Sequence, residues 1–206
     1  MTIREETGPA LRLCFVGDEL VGGVGDPRAL GWTGRVLART PHPEHRLAAI
    51  LPVPGETTAA MAERWEAECR LHYSPLADNR LVIGLGIGDI RSGQSMARSR
   101  LNLAKVLDTA QASRIAPFVV GPPPLAGVPQ AMIAEFSDAA AQVCERREIP
   151  YVETFASLQG HDQWHTDISS SRLGLPGQVG YSLLAWLVAH CGWFDWLGVE
   201  STEGWN

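Results

Sequence analysis

Short apolar runs alternate along the chain with longer stretches in which apolar residues recur at helical spacing. Each short run is bounded by Gly, Pro or polar residues, which is typical of buried strands; these runs are 11–16, 46–51, 80–85, 115–120 and 150–155. The longer stretches predict helices over 30–40, 57–71, 95–112, 129–147 and 178–190. Strands that alternate with helices predict a parallel sheet covered on both faces, so we expect an α/β fold.

The length of 206 residues is typical of one compact domain, and no linker, internal repeat or low-complexity segment divides the chain. We therefore expect residues 1–206 to form a single domain. The net charge of -6 comes without clustered Lys and Arg, so we expect no nucleic-acid partner. No apolar run is long enough to span a bilayer or to form a secretion signal, which predicts a cytoplasmic location without membrane association.

Neither the cysteines nor the glycines indicate a metal or a cofactor. The four cysteines are far apart and show no CxxC spacing, which argues against metal ligation and a disulfide framework. Cys14 and Cys191 lie in apolar runs and are predicted to be reduced thiols in the core. Gly84, Gly86 and Gly88 have the spacing GxGxG, whereas dinucleotide sites use GxGxxG. We expect no cofactor.

Four sequence blocks stand after predicted strands or before the last helix: residues 17–20 (Gly-Asp-Glu-Leu), Gly55, residues 86–89 (Gly-Ile-Gly-Asp) and residues 175–181 (Leu-Pro-Gly-Gln-Val-Gly-Tyr). Their order and spacing resemble the SGNH (GDSL) hydrolase family, and small bacterial members in particular, over residues 11–193. The resemblance implies a flavodoxin-like three-layer α/β/α sandwich with a five-stranded parallel sheet. In other members it implies hydrolysis of esters, thioesters or acyl-sugars.

The same resemblance implies that every residue of the family's catalytic triad is substituted. Glu19 stands at the position of the nucleophilic Ser, Leu175 at that of the His and Arg172 at that of the Asp. Gly88 replaces the Asn of the oxyanion hole, while the backbone N–H groups of Glu19 and Gly55 remain as donors. A leucine cannot accept a proton and an arginine cannot orient an absent imidazole. We therefore predict that the protein is not a serine hydrolase.

Asp18, Glu19 and Asp89 are candidate catalytic residues, because paired carboxylates perform acid–base chemistry when their surroundings separate their pKa values. The alternative, favoured for Asp18 and Asp89, is that these side chains hold loops by accepting backbone hydrogen bonds. For Glu19 both interpretations stay open. Two hypotheses follow: Glu19 occupies the space vacated at Gly88, and Arg172 forms an ion pair with Glu19.

The segment 160–171 contains further candidates. His161 and His165 are four residues apart, which on a helix is a metal-binding spacing, but the segment is better interpreted as a polar loop over the site. His165 and Asp167 are candidate replacement acids or bases. Trp164 is a candidate wall of a binding pocket.

Seven tryptophans include two in helical patterns, Trp65 and Trp186, which we predict to be core residues. The C-terminal tail carries Phe194, Trp196 and Trp205. It either packs back on the domain, which we favour, or forms a surface for a protein partner or a second copy of the chain.

Three interpretations of function remain. In the first, Glu19 is the central group of a repurposed acid–base enzyme that acts on a small molecule. In the second, the protein is a non-catalytic pseudoenzyme that binds a small molecule or a protein. In the third, Glu19 activates water in a weak esterase or acyl hydrolase. The first two are almost equally supported, and whether the chain is an enzyme stays open.

Overall fold

A computed structural model describes residues 10–41 and 46–200. All the strands in this part of the chain form one parallel sheet in the order β2-β1-β3-β4-β5. The strands are β1 Leu11–Gly17, β2 Leu47–Pro52, β3 Asp78–Gly84, β4 Ala116–Val120 and β5 Tyr151–Val152. The predicted five-stranded parallel sheet is confirmed. The chain reverses its direction of progress across the sheet between β2 and β3, so loops from β1 and β3 meet at one edge.

The helices are α1 Gly31–Arg39, α2 Thr58–Arg70, α3 Gly88–Arg91, α4 Met96–Ala112, α5 Gln130–Glu145, α6 Phe155–Gln159, α7 Asp162–Ser170, α8 Gln178–Val188 and α9 Phe194–Leu197. A π-helical segment, Ala189–Trp193, joins α8 to α9. The predicted helices correspond to α1, α2, α4, α5 and α8. Thr57 caps α2 by accepting the N–H of Ala60 at 3.1 Å, the role that its side chain predicts. Within the described ranges no helix is long and apolar enough to cross a membrane.

Strand β5 is much shorter than the predicted run 150–155. The carboxylate of Glu153 accepts the N–H groups of Ala156 and Ser157 at 3.0 and 3.2 Å. The hydroxyl of Thr154 donates to the carbonyl of Gly121 at 2.8 Å. These side-chain bonds satisfy the first amides of α6 and turn the chain out of the sheet, so the strand ends at Val152.

Apolar side chains cover both faces of the sheet, as expected for parallel strands. Leu13 and Phe15 of β1 point to one face, and Cys14 and Val16 point to the other. The first layer packs on α1 and α8 and includes Trp32, Val82, Phe118, Tyr181 and Trp193. The second packs on α2, α4 and α5 and includes Trp65, Leu81, Leu107 and Phe136. Helices on both faces confirm the three-layer arrangement.

Two core predictions are wrong at the C-terminal end. Trp186 is 44% exposed and stacks on His190, with ring centroids 4.2 Å apart. Helix α8 turns its other face to the sheet, so Trp186 lies toward solvent. Cys191 is exposed because the chain leaves helical geometry there, with a φ of 94° at Gly192. Trp65 and Cys14 are buried as predicted.

The aromatic tail packs back on the sheet. Phe194 is buried. The centroid of the Trp196 ring lies 5.0 Å from that of Phe118 and 5.2 Å from that of Trp193. The favoured packing interpretation is confirmed for these residues, whereas Trp205 lies outside the described part of the chain. A surface for a partner or a second copy stays a prediction.

Candidate functional site

The turn after β1 carries the first two candidate residues, Asp18 and Glu19. A Cβ on Gly17 would lie 2.2 Å from the carbonyl oxygen of Gly84, so β1 and β3 approach there too closely for any other residue. The turn is then closed by the N–H of Val21, which donates to the carbonyl of Asp18 at 3.1 Å. The close approach and the turn place Glu19 at the carboxyl edge of the sheet.

The carboxylate of Glu19 is held by the loop after β2. Its Oε2 accepts the backbone N–H of Gly55 at 2.6 Å, a short charge-assisted hydrogen bond. Its Oε1 lies 3.9 Å from Nη1 of Arg91, in α3. The Glu19 side chain is 12% exposed and that of Arg91 is 47% exposed, so the ion pair contributes little compared with the hydrogen bond. Glu19 thus occupies one of the two backbone amides that the sequence proposed as oxyanion donors.

The predicted ion pair between Arg172 and Glu19 is wrong. Arg172 is exposed in a turn that is closed by the N–H of Gly174 on the carbonyl of Ser171, and no ion pair of Arg172 is found in the described ranges. Arg91 faces Glu19 instead. Next to this turn Leu175 is buried, which leaves an apolar side chain where the resemblance places the histidine.

The space at Gly88 is filled by backbone, so the hypothesis that Glu19 occupies it is wrong. A Cβ on Gly88 would lie 2.2 Å from the carbonyl oxygen of Glu56 and 2.6 Å from that of Gly55. Arg64 fixes this loop because it pairs with the carboxylate of Glu56 and donates to the carbonyl of Leu51 at 2.8 Å. The loop after β2 therefore lies directly over α3.

Asp89 accepts hydrogen bonds from the first residue of α2. Its Oδ1 accepts the N–H of Thr58 at 2.6 Å, and its Oδ2 accepts the hydroxyl of Thr58 at 2.7 Å. Gln94 also donates to that hydroxyl oxygen at 2.9 Å. Asp89 is buried, and a carboxylate at a helix N-terminus is stabilising. The geometry is that of a loop-holding residue, the alternative that the sequence favoured.

Asp18 lies beneath the site. It is 3% exposed, and its Oδ1 accepts the N–H of Leu20 at 3.0 Å. The other oxygen sits over Gly86, where a Cβ would lie 1.6 Å from it. Burial raises the pKa of Asp18 to about 7, the nearby carboxylates of Glu19 and Glu56 act in the same direction, and the Leu20 hydrogen bond opposes them. Asp18 and Glu19 are thus adjacent carboxyl groups in different surroundings.

Replacing Asp18 by asparagine is expected to stabilise the protein more at pH 8 than at pH 4. The folded-state pKa of about 7 lies above the unfolded value, so wild type loses stability as the pH rises from about 4 to 7. The amide of the variant keeps an acceptor for the Leu20 N–H and does not ionise. We expect the variant to gain roughly 2 to 4 kcal/mol relative to wild type across this interval, measured by urea unfolding, because one pKa unit corresponds to about 1.4 kcal/mol. A difference that does not change with pH would contradict the assignment.

The segment that contains Trp164, His165 and Asp167 is helix α7, so the loop prediction is wrong. Trp164 is fully buried, and its Nε1 donates to the carbonyl of Pro124 at 2.9 Å, so it supports a loop and does not itself line an open cavity. Asp167 accepts the N–H groups of Gly177 and Gly180 at 2.6 and 2.8 Å and so caps α8. Of the three, His165 is exposed and lines a cavity.

The sequence comparison decides the family. The model of the GDSL-like Lipase/Acylhydrolase family matches residues 15–182. The chain belongs to this family. Among solved structures, a lipase/acylhydrolase from Enterococcus faecalis aligns with a TM-score of 0.71 at 20% identity, over 94% of this chain and 100% of that one. An acetylxylan esterase from Geobacillus stearothermophilus aligns with a TM-score of 0.72 at 15% identity, over 96% and 99%. Both likenesses concern the fold. No curated protein matches the chain in sequence.

In this GDSL-family chain, Glu19 is not among the residues that line four cavities found in the described ranges. The small cavity nearest to the site is about 10 Å³ and is lined by Gly86 and Asp89, among others. No group of three or more His, Cys, Asp or Glu in the described ranges is arranged to hold a metal ion.

Two residues at the site were not predicted from the sequence. Arg91 faces Glu19, and Glu56 holds the loop over Gly88 through its pair with Arg64. Glu56 directly follows Gly55 and Arg91 lies two residues after Asp89, but a position near a block does not specify which way a long side chain points. A second signal was available for Glu56. Arg64 lies in the middle of α2, and an arginine that is largely buried there needs a carboxylate partner.

Proposed function

We propose that this chain is a non-hydrolytic member of the GDSL family that binds a small molecule without converting it. The observation that carries the proposal is the hydrogen bond from the Gly55 N–H to the Glu19 carboxylate, 2.6 Å long. An oxyanion hole accelerates acyl transfer because its donors are free to bind the negative charge that develops on the substrate. Here the donor binds a negative charge that belongs to the protein.

The surroundings of Glu19 support a loss of the esterase mechanism. In the block alignment Glu19 replaces the nucleophile, and Leu175 stands where the general base is needed. Leu175 is buried and apolar, and Arg172, at the position of the orienting Asp, is exposed. Serine hydrolysis needs a hydroxyl and a base within hydrogen-bond reach of each other. These positions supply neither group.

Gly88 supports the same conclusion from the other side of the site. Its counterpart in the family donates a side-chain amide to the oxyanion. At Gly88 the carbonyls of Gly55 and Glu56 fill that position, so acceptors stand where a donor is needed. Such an exchange disfavours a developing negative charge, and loss of one donor alone lowers the rate by about 10²- to 10³-fold.

Acid–base chemistry through Glu19 is the second candidate. It is favoured by one observation, the raised pKa of Asp18 (about 7) beside a carboxylate in a different environment. Asp18, however, is 3% exposed and lies under the turn, so it has no direct access to a reactant. Water activation by Glu19 in a weak esterase would use the same carboxylate, whose Oε2 is engaged by Gly55. Binding without turnover fits better with a buried Asp18 and a Glu19 carboxylate that is already hydrogen-bonded.

The proposal is tested with an activity-based probe and a panel of esters. We expect no specific labelling of the purified protein by a fluorophosphonate, because Glu19 and Leu175 stand at the positions of the nucleophile and the base. We also expect no hydrolysis of p-nitrophenyl acetate or of acetylated sugars above the rate seen with Glu19→Gln. The labelled residue is identified by mass spectrometry, and the turnover is followed spectrophotometrically.

Two outcomes would overturn the proposal. Labelling of a single serine in the folded protein, absent after denaturation, would show an activated nucleophile. Hydrolysis that is lost in Glu19→Gln but retained in Glu66→Gln would instead support chemistry by the Glu19 carboxylate. Glu66 is a suitable control because its side chain is half exposed and forms only a surface pair with Arg70.

A further inference from the structure

We infer that the groove between the loop after β4 and helix α7 binds an uncharged, polyhydroxylated ring, such as the pyranose ring of a sugar. The groove has a volume of about 600 Å³, within the usual range for small-molecule sites. The inference rests on the proposed binding function and names its ligand class. The residues that carry it are separate from Glu19, so the two are tested by different variants.

The floor of the groove is apolar and held in shape. Leu125 is 3% exposed and Ile168 is 9% exposed, so they present a small, fixed apolar surface. The loop that carries Leu125 is tied down on both sides. Trp164 donates to the carbonyl of Pro124 at 2.9 Å, and Gln130 donates to the carbonyl of Leu125 at 2.8 Å. A preformed apolar floor fits the C–H face of a pyranose, and little order is lost on binding.

The rim offers both hydrogen-bond donors and acceptors. The Ser169 hydroxyl donates to the carbonyl of Thr166 at 3.1 Å, so its lone pairs are left to accept. The Ser171 hydroxyl accepts the N–H of Leu173 at 3.3 Å, so its proton is left to donate.

Three further side chains extend the rim. Gln130 retains one N–H and its carbonyl oxygen after its bond to Leu125. His165 uses Nε2 on the carbonyl of Gln159 at 2.5 Å, which leaves Nδ1 of the neutral ring as an acceptor. The Thr166 hydroxyl makes no hydrogen bond to the described residues. Sugar hydroxyls both donate and accept, so they match a rim that offers both.

The lining carries no formal charge of its own. None of its residues is Asp, Glu, Lys or Arg. A carboxylate, phosphate or ammonium ligand would lose hydration in the groove without meeting an opposite charge, which disfavours its binding. Neutral hydroxyl groups avoid this penalty, because the rim replaces their hydrogen bonds to water. Charge thus selects the uncharged members of the ligand class.

The inference is tested by titrating the protein with cellobiose at pH 8. Glucuronate and glucosamine serve as charged comparisons. We expect millimolar binding of cellobiose by isothermal titration calorimetry, with the charged sugars bound more weakly. Ser169→Tyr places a bulky ring on the rim and is expected to raise the Kd at least about tenfold.

Ser170→Tyr is the matched control. Ser170 is the next residue of α7, is exposed like Ser169, and donates its hydroxyl to the carbonyl three residues earlier, but it does not line the groove. Binding that survives in Ser170→Tyr and is lost in Ser169→Tyr supports the groove. Equal binding by both variants, tighter binding of glucuronate, or no binding of cellobiose at millimolar concentrations would overturn the inference. None of these outcomes depends on whether Glu19 is catalytic.

Discussion

Replacement of Gly88 by alanine is expected to destabilise the protein by about 3 kcal/mol, because a methyl group there meets backbone and not flexible side chains. Its Cβ would lie 2.2 Å from the Glu56 carbonyl oxygen and 2.6 Å from that of Gly55. The Glu56–Arg64 ion pair and the bond from Arg64 to the Leu51 carbonyl hold this loop in place. The backbone must move until this 2.2 Å separation exceeds 3.0 Å before the methyl group fits.

Urea unfolding followed by circular dichroism measures this effect, with Gly160→Ala as the control. Gly160 has a φ of -101° and open space around its Cβ position, so alanine is expected to change stability by less than about 0.5 kcal/mol. Wild-type stability in Gly88→Ala would show that the loop retreats easily. The family's side-chain donor would then fit at this position, and the argument for a closed oxyanion site would lose one of its supports.

Replacement of Asp26 by alanine is expected to destabilise the protein by about 4 kcal/mol, because it leaves a buried guanidinium without its partner. The Asp26 side chain is 0% exposed and pairs with Arg35, whose side chain is 7% exposed. Asp26 also accepts the N–H groups of Arg28 at 3.1 Å and Gly31 at 2.9 Å, which sets the chain entering α1. All of these bonds are lost together.

The effect of Asp26 is expected to depend on pH. Burial raises the pKa of Asp26, but the hydrogen bonds from Arg35 and from the amides of Arg28 and Gly31 outweigh it and lower the pKa to about 2. A folded-state pKa below the unfolded value of about 4 gives stability that is present above pH 4 and is lost as the pH falls toward 2. Wild type and Asp26→Ala should therefore converge in stability at low pH.

Unfolding curves between pH 2 and pH 7 check this expectation. Asp26→Ala/Arg35→Met should lose less stability than Asp26→Ala alone, because the second change removes the uncompensated charge. A variant of the surface pair Arg70–Glu66, such as Glu66→Ala, should change stability by less than about 1 kcal/mol at every pH. If Asp26→Ala behaves like this control, the Asp26–Arg35 pair contributes much less to the free energy of unfolding than expected.

Asp26 also bears on the site, since it stabilises the segment that follows Glu19. The hydroxyl of Tyr181 donates to the carbonyl of Val24 at 2.7 Å and ties the same segment to α8. Tyr181 belongs to the block that resembles the end of the family's catalytic region. The scaffold that brings the first and last blocks together is thus present.

The sequence alone determined the strand order along the chain, the positions of α1, α2, α4, α5 and α8, and the membership of a hydrolase family. These features depend on local periodicity, on cap residues such as Thr57 and on blocks that stand directly after strands. The burial of Trp65 and Cys14 follows from the same local patterns. The loop-holding roles of Asp18 and Asp89 were also available, because short carboxylates in turns accept nearby amides.

Only the tertiary structure decided what surrounds Glu19. That Gly55 donates to it, that Arg91 faces it in place of Arg172, and that backbone fills the space at Gly88 all depend on how loops from different strands settle against one another. Helix α7 likewise depends on its contacts with the loop at Pro124 and with the start of α8. Periodicity along the chain encodes which face of an element is buried. It does not encode the direction of a long side chain or the path of a loop, because distant parts of the chain determine both.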